Sequence, residues 1–468
     1  MRSGPLANAH AMPEAHVSSG RSSSLRSSWA ALSESVRTRL WPLPIAAIVL
    51  AVALGVVLPR IDVLVDGTLP TGVDSAVFNG GAETARAVLS SIAGSLITAT
   101  SLTFSLTVIA LQLASSQASP RVLRLFARDP QVHWTLAAFL GTFAYSLTVL
   151  RSVRSETGDI PEFVPRISVT VAFALTLVSV MMLVFFLAHL AAQLRVETML
   201  KEIHAETDRA IDLVGDRNAG APAYTGEIPS NPRRYPVLAR SSGFVTGEDL
   251  TRLTHTAAAH GIVIHLRKRV GENVLEGTPL AFYSQGDGDG DARAIDGSIE
   301  DAVRSAYAIG YERTASEDVD FGVQQILDIA LRALSPAVND PTTAVDALGH
   351  LGAITVRMLA MPQPPRAVRG PDGQLCVVTK TRTTRELVEG SLSPMRHYGA
   401  EHPAVVGRFV QVVTEIISAS GDDAEVGAAL GAQLDALTQQ LRAMQSDPAS
   451  TSAMLALVEE TRTELARR

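Results

Sequence analysis

Uninterrupted apolar runs mark the first 190 residues of this chain, and amphipathic periods mark the rest. Four runs, Leu43 to Leu58, Ala87 to Ala114, Val132 to Leu150 and Ile167 to Ala188, contain no Asp, Glu, Lys or Arg. A helix that crosses a bilayer needs about 20 consecutive apolar residues. The last three runs meet that length, and the first meets it with its flanks. The pattern therefore predicts a four-span membrane domain over residues 41–190, with spans near 43–58, 87–114, 132–150 and 167–188 and the lipid bilayer as its surroundings. The first run follows Arg37, Arg39 and Trp41, as a signal peptide would. Its exit, Val57-Leu58-Pro59-Arg60, lacks a small-residue cleavage pattern, so an uncleaved span is expected. Residues 1–40, rich in Ser, Ala and Arg without period, read as a disordered tail.

From Gln193 the period changes. Leu194, Met199, Leu200, Ile203, Ala210 and Ile211 alternate with charged residues, predicting that the fourth span continues as a helical stalk to about Val214. Gly, Pro and Asn then make a linker to Pro236, so that stalk and linker together cover 191–236. Residues 237–283 predict a small β-rich module: short strands at Val237–Arg240 and Gly243–Thr246, a helix at Glu248–His260 and a strand at Ile262–Arg267. The phrase Val270 to Leu280 looks like the turn-strand-turn of a barrel-sandwich module. The lysine such carriers modify is missing from the hairpin tip, so no cofactor is expected. Residues 284–468 predict a mainly helical region with one strand near Gln374–Lys380. The fold class expected is thus a membrane α-helical bundle of four transmembrane helices, followed by an α+β cytoplasmic domain with a small barrel-sandwich-like β module and C-terminal helices.

Charge sharpens this division. Of the 468 residues 47% are apolar and 19% charged, and the net charge is −7. Residues 1–190 hold thirteen Arg against ten acids, a net +3, while the remainder holds twenty-seven Lys or Arg against thirty-seven acids, a net −10. No domain-wide basic field is present, and no nucleic-acid partner is expected. One cysteine, Cys376, excludes an intrachain disulfide. Basic residues in short loops set orientation: Arg21, Arg26, Arg37 and Arg39 in the tail, with Arg121, Arg124 and Arg128 between spans two and three, outweigh the opposing Arg151, Arg154 and Arg166 of the last loop, so both termini are expected in the cytoplasm, at a bacterial inner membrane.

The second span carries a distinct face. At 100° per residue Ser90, Ser91, Gly94, Ser95, Thr98, Ser101, Ser105, Gln112, Ser115 and Ser116 share one sector, interrupted by Leu102, Val108 and Ile109. Small hydroxylated residues permit close helix packing, and the same hydroxyls could replace the hydration of a passing solute. Ala137 and Gly141 of the third span offer a matching flat face. Coupled carriers place an ionisable group or a broken helix at the midplane. Here His133 and His189 lie at span ends, so a coupled transporter is disfavoured. Four spans enclose little room, and a pore would require a homo-oligomer.

Other polar clusters yield less. Asp287-Gly288-Asp289-Gly290-Asp291 begins like a calcium loop, but Ala292 and Ser298 occupy the positions that need Gly and Glu, so a solvated turn is expected. His397 and His402 lack a third ligand for a metal. No Ser-His-Asp arrangement, HExxH, Walker A or GxGxxG motif is present, and no enzyme is expected. The segment 310–361 holds most of the patterned polar residues: Arg313, Asp318, Gln325, Asp328, Arg332, Asn339, Asp340 and Thr343. Asp328 and Arg332 have i, i+4 ion-pair spacing. Asn339 or Asp340 should cap a helix opened by Pro341, and that helix start with Thr342, Thr343 and Arg332 could instead hold an anion.

Two stretches carry a family resemblance: Ser105 to Gln117 followed by Ser119-Pro120-Arg121, and Tyr311 to Thr314 with Asp318, Phe321-Gly322, Gln325 and Asp328 to Pro341. They resemble the signatures of a bacterial family of predicted integral membrane proteins of unknown function, over roughly Leu43 to Ile417. The resemblance implies the architecture and assigns no catalytic residue. Two functions follow as expectations: an oligomeric passive channel or transport-related protein regulated by its cytoplasmic domain, or a membrane-anchored sensor or scaffold. The residues leave the small-molecule or ion partner unknown.

Overall fold

The computed structural model describes residues 41–65, 77–117, 129–156, 162–229, 234–285, 297–444 and 448–467. The expected tail over 1–40, the basic loop with Arg121, Arg124 and Arg128, and the turn Asp287–Asp291 lie outside the described residues. Thirteen helices and eight strands are described, and the chain divides into two units: residues 1–112 with 123–191, and residues 113–122 with 192–468.

The first unit holds α1 (Pro42–Val65), α2 (Ala82–Gln117), α3 (Pro130–Leu150) and α4 (Arg166–Gln193), each long and apolar enough to cross a membrane. Helix α1 runs past the expected end at Pro59. Pro59 removes the amide that would bond the Gly55 carbonyl and its ring crowds that carbonyl, yet the helix continues through Asp62. At 36 residues α2 is about 54 Å long, well over the ~30 Å hydrocarbon core.

Helices α1 and α3 form the closest pair. A Cβ on Gly55 would fall 2.8 Å from Thr148 Cβ, and one on Gly141 would fall 3.5 Å from Ala47. Small residues let the backbones approach, where contact and not water exclusion drives association. Gly141 therefore serves the first span, a correction to its expected role beside the second. Helix α2 joins through larger side chains: Leu89, Ile92 and Leu96 share one core cluster with Phe139, Tyr145 and Val149 of α3 and Val169 and Ala172 of α4.

Carboxylates tie the helix ends. Asp62 of α1 is buried and accepts from the Ile167 and Ser168 amides (2.7 and 3.0 Å) and the Ser168 hydroxyl (2.5 Å), satisfying orphan donors at the start of α4. Tyr145 donates to the Ser168 carbonyl at 3.0 Å, and Glu162 accepts from the Ala82 amide at the start of α2. At the opposite end Asp129 caps α3 through the Gln131 amide (2.9 Å) and lies 2.6 Å from His189 Nε2. Trp41 and Trp134 are exposed there, as aromatic residues at a membrane interface are.

The second unit opens with α5 (Val196–Ala219), which is separated from α4 by a break at Leu194 and Arg195. The expected continuous stalk is thus two helices. The apolar stripe of α5, Met199, Leu200, Ile203, Ala210 and Ile211, is buried, and α5 packs on α8 (Val319–Ala333) and α9 (Pro341–Ala360). The expected linker is also partly structured, since the Tyr224 amide donates to the Ala367 carbonyl at 2.8 Å.

Two sheets follow. Strands β1 (Tyr235–Leu238), β3 (Ile262–Leu266), β5 (Pro279–Gln285), β7 (Ala367–Arg369) and β8 (Leu375–Val378) form one in the order β1-β5-β3-β8-β7, with only β3 and β8 parallel. Strands β2 (Gly243–Glu248), β4 (Asn273–Val274) and β6 (Tyr307–Gly310) form the other, in the order β4-β2-β6. The β module therefore draws strands from far beyond residue 283. Helix α6 (Leu250–His260) starts two residues later than expected because Asp249 caps it, and it stops at Gly261 in the left-handed region. Gly271 and Gly277 make the two turns with positive φ, and Val274 and Leu280 are buried.

The remaining helices are α7 (Gly297–Arg304), α10 (Thr384–Gly399), α11 (Pro403–Ser420), α12 (Ala424–Ala443) and α13 (Pro448–Arg467). A capping box between Thr383 and Glu386 starts α10, and Asp423 caps α12. Buried stripes such as Val405, Phe409, Val412 and Ile416 on α11 hold them together.

Candidate functional site

The hydroxylated face of α2 lies on the outside of the single chain. Ser91, Ser95, Thr98, Ser101, Ser105 and Gln112 are all exposed, while the inward face is Ala85, Leu89, Ile92, Leu96, Thr103, Thr107 and Ala110. Close packing within the chain is therefore not what these residues do. Ser95 and Thr98 return their hydroxyls to the carbonyls of Ile92 and Gly94, each at 3.0 Å. Ser91, Ser101 and Ser105 make no such bond among the described residues. The contrast with the neighbouring spans is chemical: exposed positions of α4 between Phe173 and Ala188 are apolar, as are those of α1 from Ile45 to Val57.

The polar residues of 310–343 separate into two constellations. Arg313 makes a two-point ion pair with Asp318 (Nε to Oδ2 2.7 Å, Nη2 to Oδ1 2.8 Å) and lies 5.4 Å over the Phe321 ring. Asp318, 4% exposed, also accepts from the Phe321 amide and so caps α8. Its carboxylate sits where a Cβ of Gly271 would stand, 2.7 Å away, on a turn whose φ of +89° already favours glycine. Nearly two turns into α8, Gln325 is buried, and Asp328 accepts from Gln324 at 2.8 Å.

The second constellation closes the turn between α8 and α9. The Arg332 carbonyl accepts from Ser335, Asn339 adopts a φ of +49°, and Asp340 caps α9 by accepting from the Thr342 and Thr343 amides and the Thr343 hydroxyl. Those bonds, the Thr343 hydroxyl first, hold the Asp340 carboxyl below its usual range. The helix start considered for an anion is thus filled by the chain's own carboxylate, which corrects that expectation.

A third site was not read from the sequence. A cavity of about 160 Å³ lies among the end of α5, β2, the start of α8, the end of α9 and the segment 363–387. Leu250, Leu266, Val270, Met358, Met361 and Leu387 give it an apolar lining. Its charged lining is mostly paired: Arg217 with Glu317 at 2.7 Å, Lys380 with Glu272 at 2.6 Å, Arg382 with Asp320, and Asp318 with Arg313.

Glu248, the last residue of β2, is the exception. Its half-buried carboxyl has no hydrogen bond or ion pair among the described residues, and desolvation pushes its pKa from 4.5 to about 7, with Arg217 opposing and Glu317 adding to the shift. Tyr307 of β6 stands directly opposite in register, with its buried hydroxyl also unpartnered. Burial, and then Glu248, raises that phenol well above 10. Reading Glu248 as the first residue of a helix hid this carboxyl. Asp249, a capping residue type, was the signal that leaves Glu248 on the strand.

The shift has a sign. Folding binds a proton at Glu248 between its unfolded value near 4.5 and its folded value near 7, so this group's contribution to stability falls as pH rises through that window. Thermal melts of the full chain in detergent should show Glu248→Gln more stable than wild type at pH 8, by on the order of 1–2 kcal/mol, with the two converging toward pH 5. Equal differences at both pH values would refute the assignment.

Comparison with known proteins places these features. Residues 37–415 match a family described as "Predicted membrane protein (DUF2254)". The chain is 32% identical over 404 residues to Uncharacterized protein Mb1321c of Mycobacterium bovis and, equally, to Uncharacterized protein Rv1290c of Mycobacterium tuberculosis, in each case across 86% of this chain and 76% of the relative. No solved structure matches.

Proposed function

From the premise that the chain belongs to this family of predicted membrane proteins, we propose that it is a homo-oligomeric passive conduit of the bacterial inner membrane, with both termini and the C-terminal unit in the cytoplasm. The observation that carries this reading is the exposed face Ser91, Ser95, Thr98, Ser101, Ser105 and Gln112 on α2, beside spans whose exposed faces are apolar. Hydroxyls turned to hydrocarbon without a partner, as those of Ser91, Ser101 and Ser105 would be, are costly. Copies of α2 arranged around an axis would give them water and one another. The C-terminal unit, carrying most of the acidic charge, would regulate the path.

Purified protein in liposomes should be an oligomer and should pass ions or small solutes. Replacing Ser95, Thr98 and Ser105 together by Leu should abolish that flux while leaving the fold intact by circular dichroism. Flux no greater than in empty liposomes, across a broad solute panel, would sink the proposal.

A second reading, a membrane-anchored ligand sensor, is favoured by a separate observation: the apolar cavity with its unmatched carboxyl at Glu248.

A further inference from the structure

We infer that the cavity at Glu248 is a binding site for a small organic ammonium ion, the alkyl part seated on the apolar lining and the nitrogen on the Glu248 carboxylate. The inference rests on the ligand-sensor reading of this unit and names the chemistry of its ligand.

The walls argue for this class over others. Every charged residue lining the cavity has an opposite charge bonded to it except Glu248. The cations of the lining are each neutralised by a neighbouring carboxylate, so an anion, unlike a cation, would bring a charge that has no uncompensated partner there; only the Arg382 Nε, buried and unpartnered, offers it a donor. An ammonium ion meets a carboxyl group with no ion pair or hydrogen bond to break, and displaces only its proton. The surface around it, Leu250, Leu266, Met358 and Met361, suits a short alkyl chain. The volume, about 160 Å³, is below the roughly 300–1,000 Å³ of drug-sized pockets and limits the ligand to a few heavy atoms.

Proton linkage supplies a signature that simple apolar binding lacks. Glu248 is divided between its two protonation states near pH 7, and an ammonium ion selects the ionised one. Binding near neutral pH should therefore release protons, and affinity should weaken as pH falls below 7.

The test is calorimetric titration of the full-length protein in detergent with n-butylammonium chloride, beside n-butanol and sodium butyrate as neutral and anionic counterparts. Saturable binding of the ammonium ion is expected, with proton release in buffers of different ionisation enthalpy and about tenfold or greater loss of affinity in Glu248→Gln. A second variant, Met361→Trp, should block binding by filling the cavity while leaving the carboxylate in place. Equal affinity in Glu248→Gln, equal binding of n-butanol, or preferential binding of butyrate would each overturn the inference, as would the absence of any saturable heat. A thermal-shift panel of other small metabolites separates the two levels. Stabilisation by a metabolite with no response to the ammonium ion removes this inference and leaves the sensor reading, whereas silence throughout counts against both.

Discussion

Asp318→Ala is expected to destabilise the C-terminal unit by about 3–5 kcal/mol, the loss typical when one partner of a buried ion pair is removed and the other stays behind. Three effects coincide at this residue. The Arg313 guanidinium, only 19% exposed, loses both of its carboxylate bonds. The Phe321 amide at the start of α8 loses its acceptor. The space against Gly271, where the backbone turns with positive φ, is left empty. Thermal melts and limited proteolysis of the full chain check this. The control is Glu317→Ala one residue away: its pair with Arg217 is 34% and 40% exposed, and its loss should cost under about 1 kcal/mol. Similar effects from both substitutions would mean that Asp318 is no more than a surface charge.

Asp62→Ala should have the second largest effect, in the membrane unit. The carboxylate accepts three bonds from Ile167 and Ser168 and faces the positive end of the α4 dipole. Two backbone donors left unpaired beside lipid cost about 1–3 kcal/mol each at most, so a loss of about 3 kcal/mol overall is expected. Asp62→Asn keeps one acceptor oxygen and should recover part of it. Unfolding in mixed detergent micelles, followed by helical circular dichroism, measures both. Asp62→Ala as stable as wild type would show that water or lipid headgroups cap α4 equally well.

How far the sequence showed these features depends on the range of the physics involved. The four spans were legible because length and absence of charge are properties of one continuous segment. The cap at Asp340 was legible, as one of two candidates with Asn339, because it lies within three residues of the amides it serves, and the cap at Asp318 is equally local although the sequence reading did not single it out. Asp62 was not, because it caps a helix that begins more than a hundred residues later. It also lies beyond Leu58, where the first span was expected to end. The outward direction of Ser91 to Gln112 was equally hidden. A helical projection finds the polar sector, but only the tertiary arrangement shows that α2 presents Leu89, Ile92 and Leu96 to its neighbours instead. Glu248 required most of all, since its environment is assembled from α5, two sheets, α8, α9 and the segment 363–387. The β module was recognised by its turn glycines, and β8 was expected as a strand near Gln374–Lys380, but its pairing with β3 across more than a hundred residues was not legible, and the three-residue edge strand β7 is too short to announce itself.

The close crossing of α1 and α3 bears on how the protein is made. Gly55 finds Thr148 only after roughly 90 more residues have been synthesised, which at about 5–20 residues per second is a delay of about 5–20 s. During that interval the first helix, with most of its surface apolar and its tightest partner still missing, has to reside in the bilayer or the insertion machinery. The second helix, joined through bulkier side chains, does not substitute for the third. Assembly of the four spans therefore waits on the third helix, and until then the first span must be stable in lipid alone, as its uncharged stretch from Leu43 to Leu58 allows.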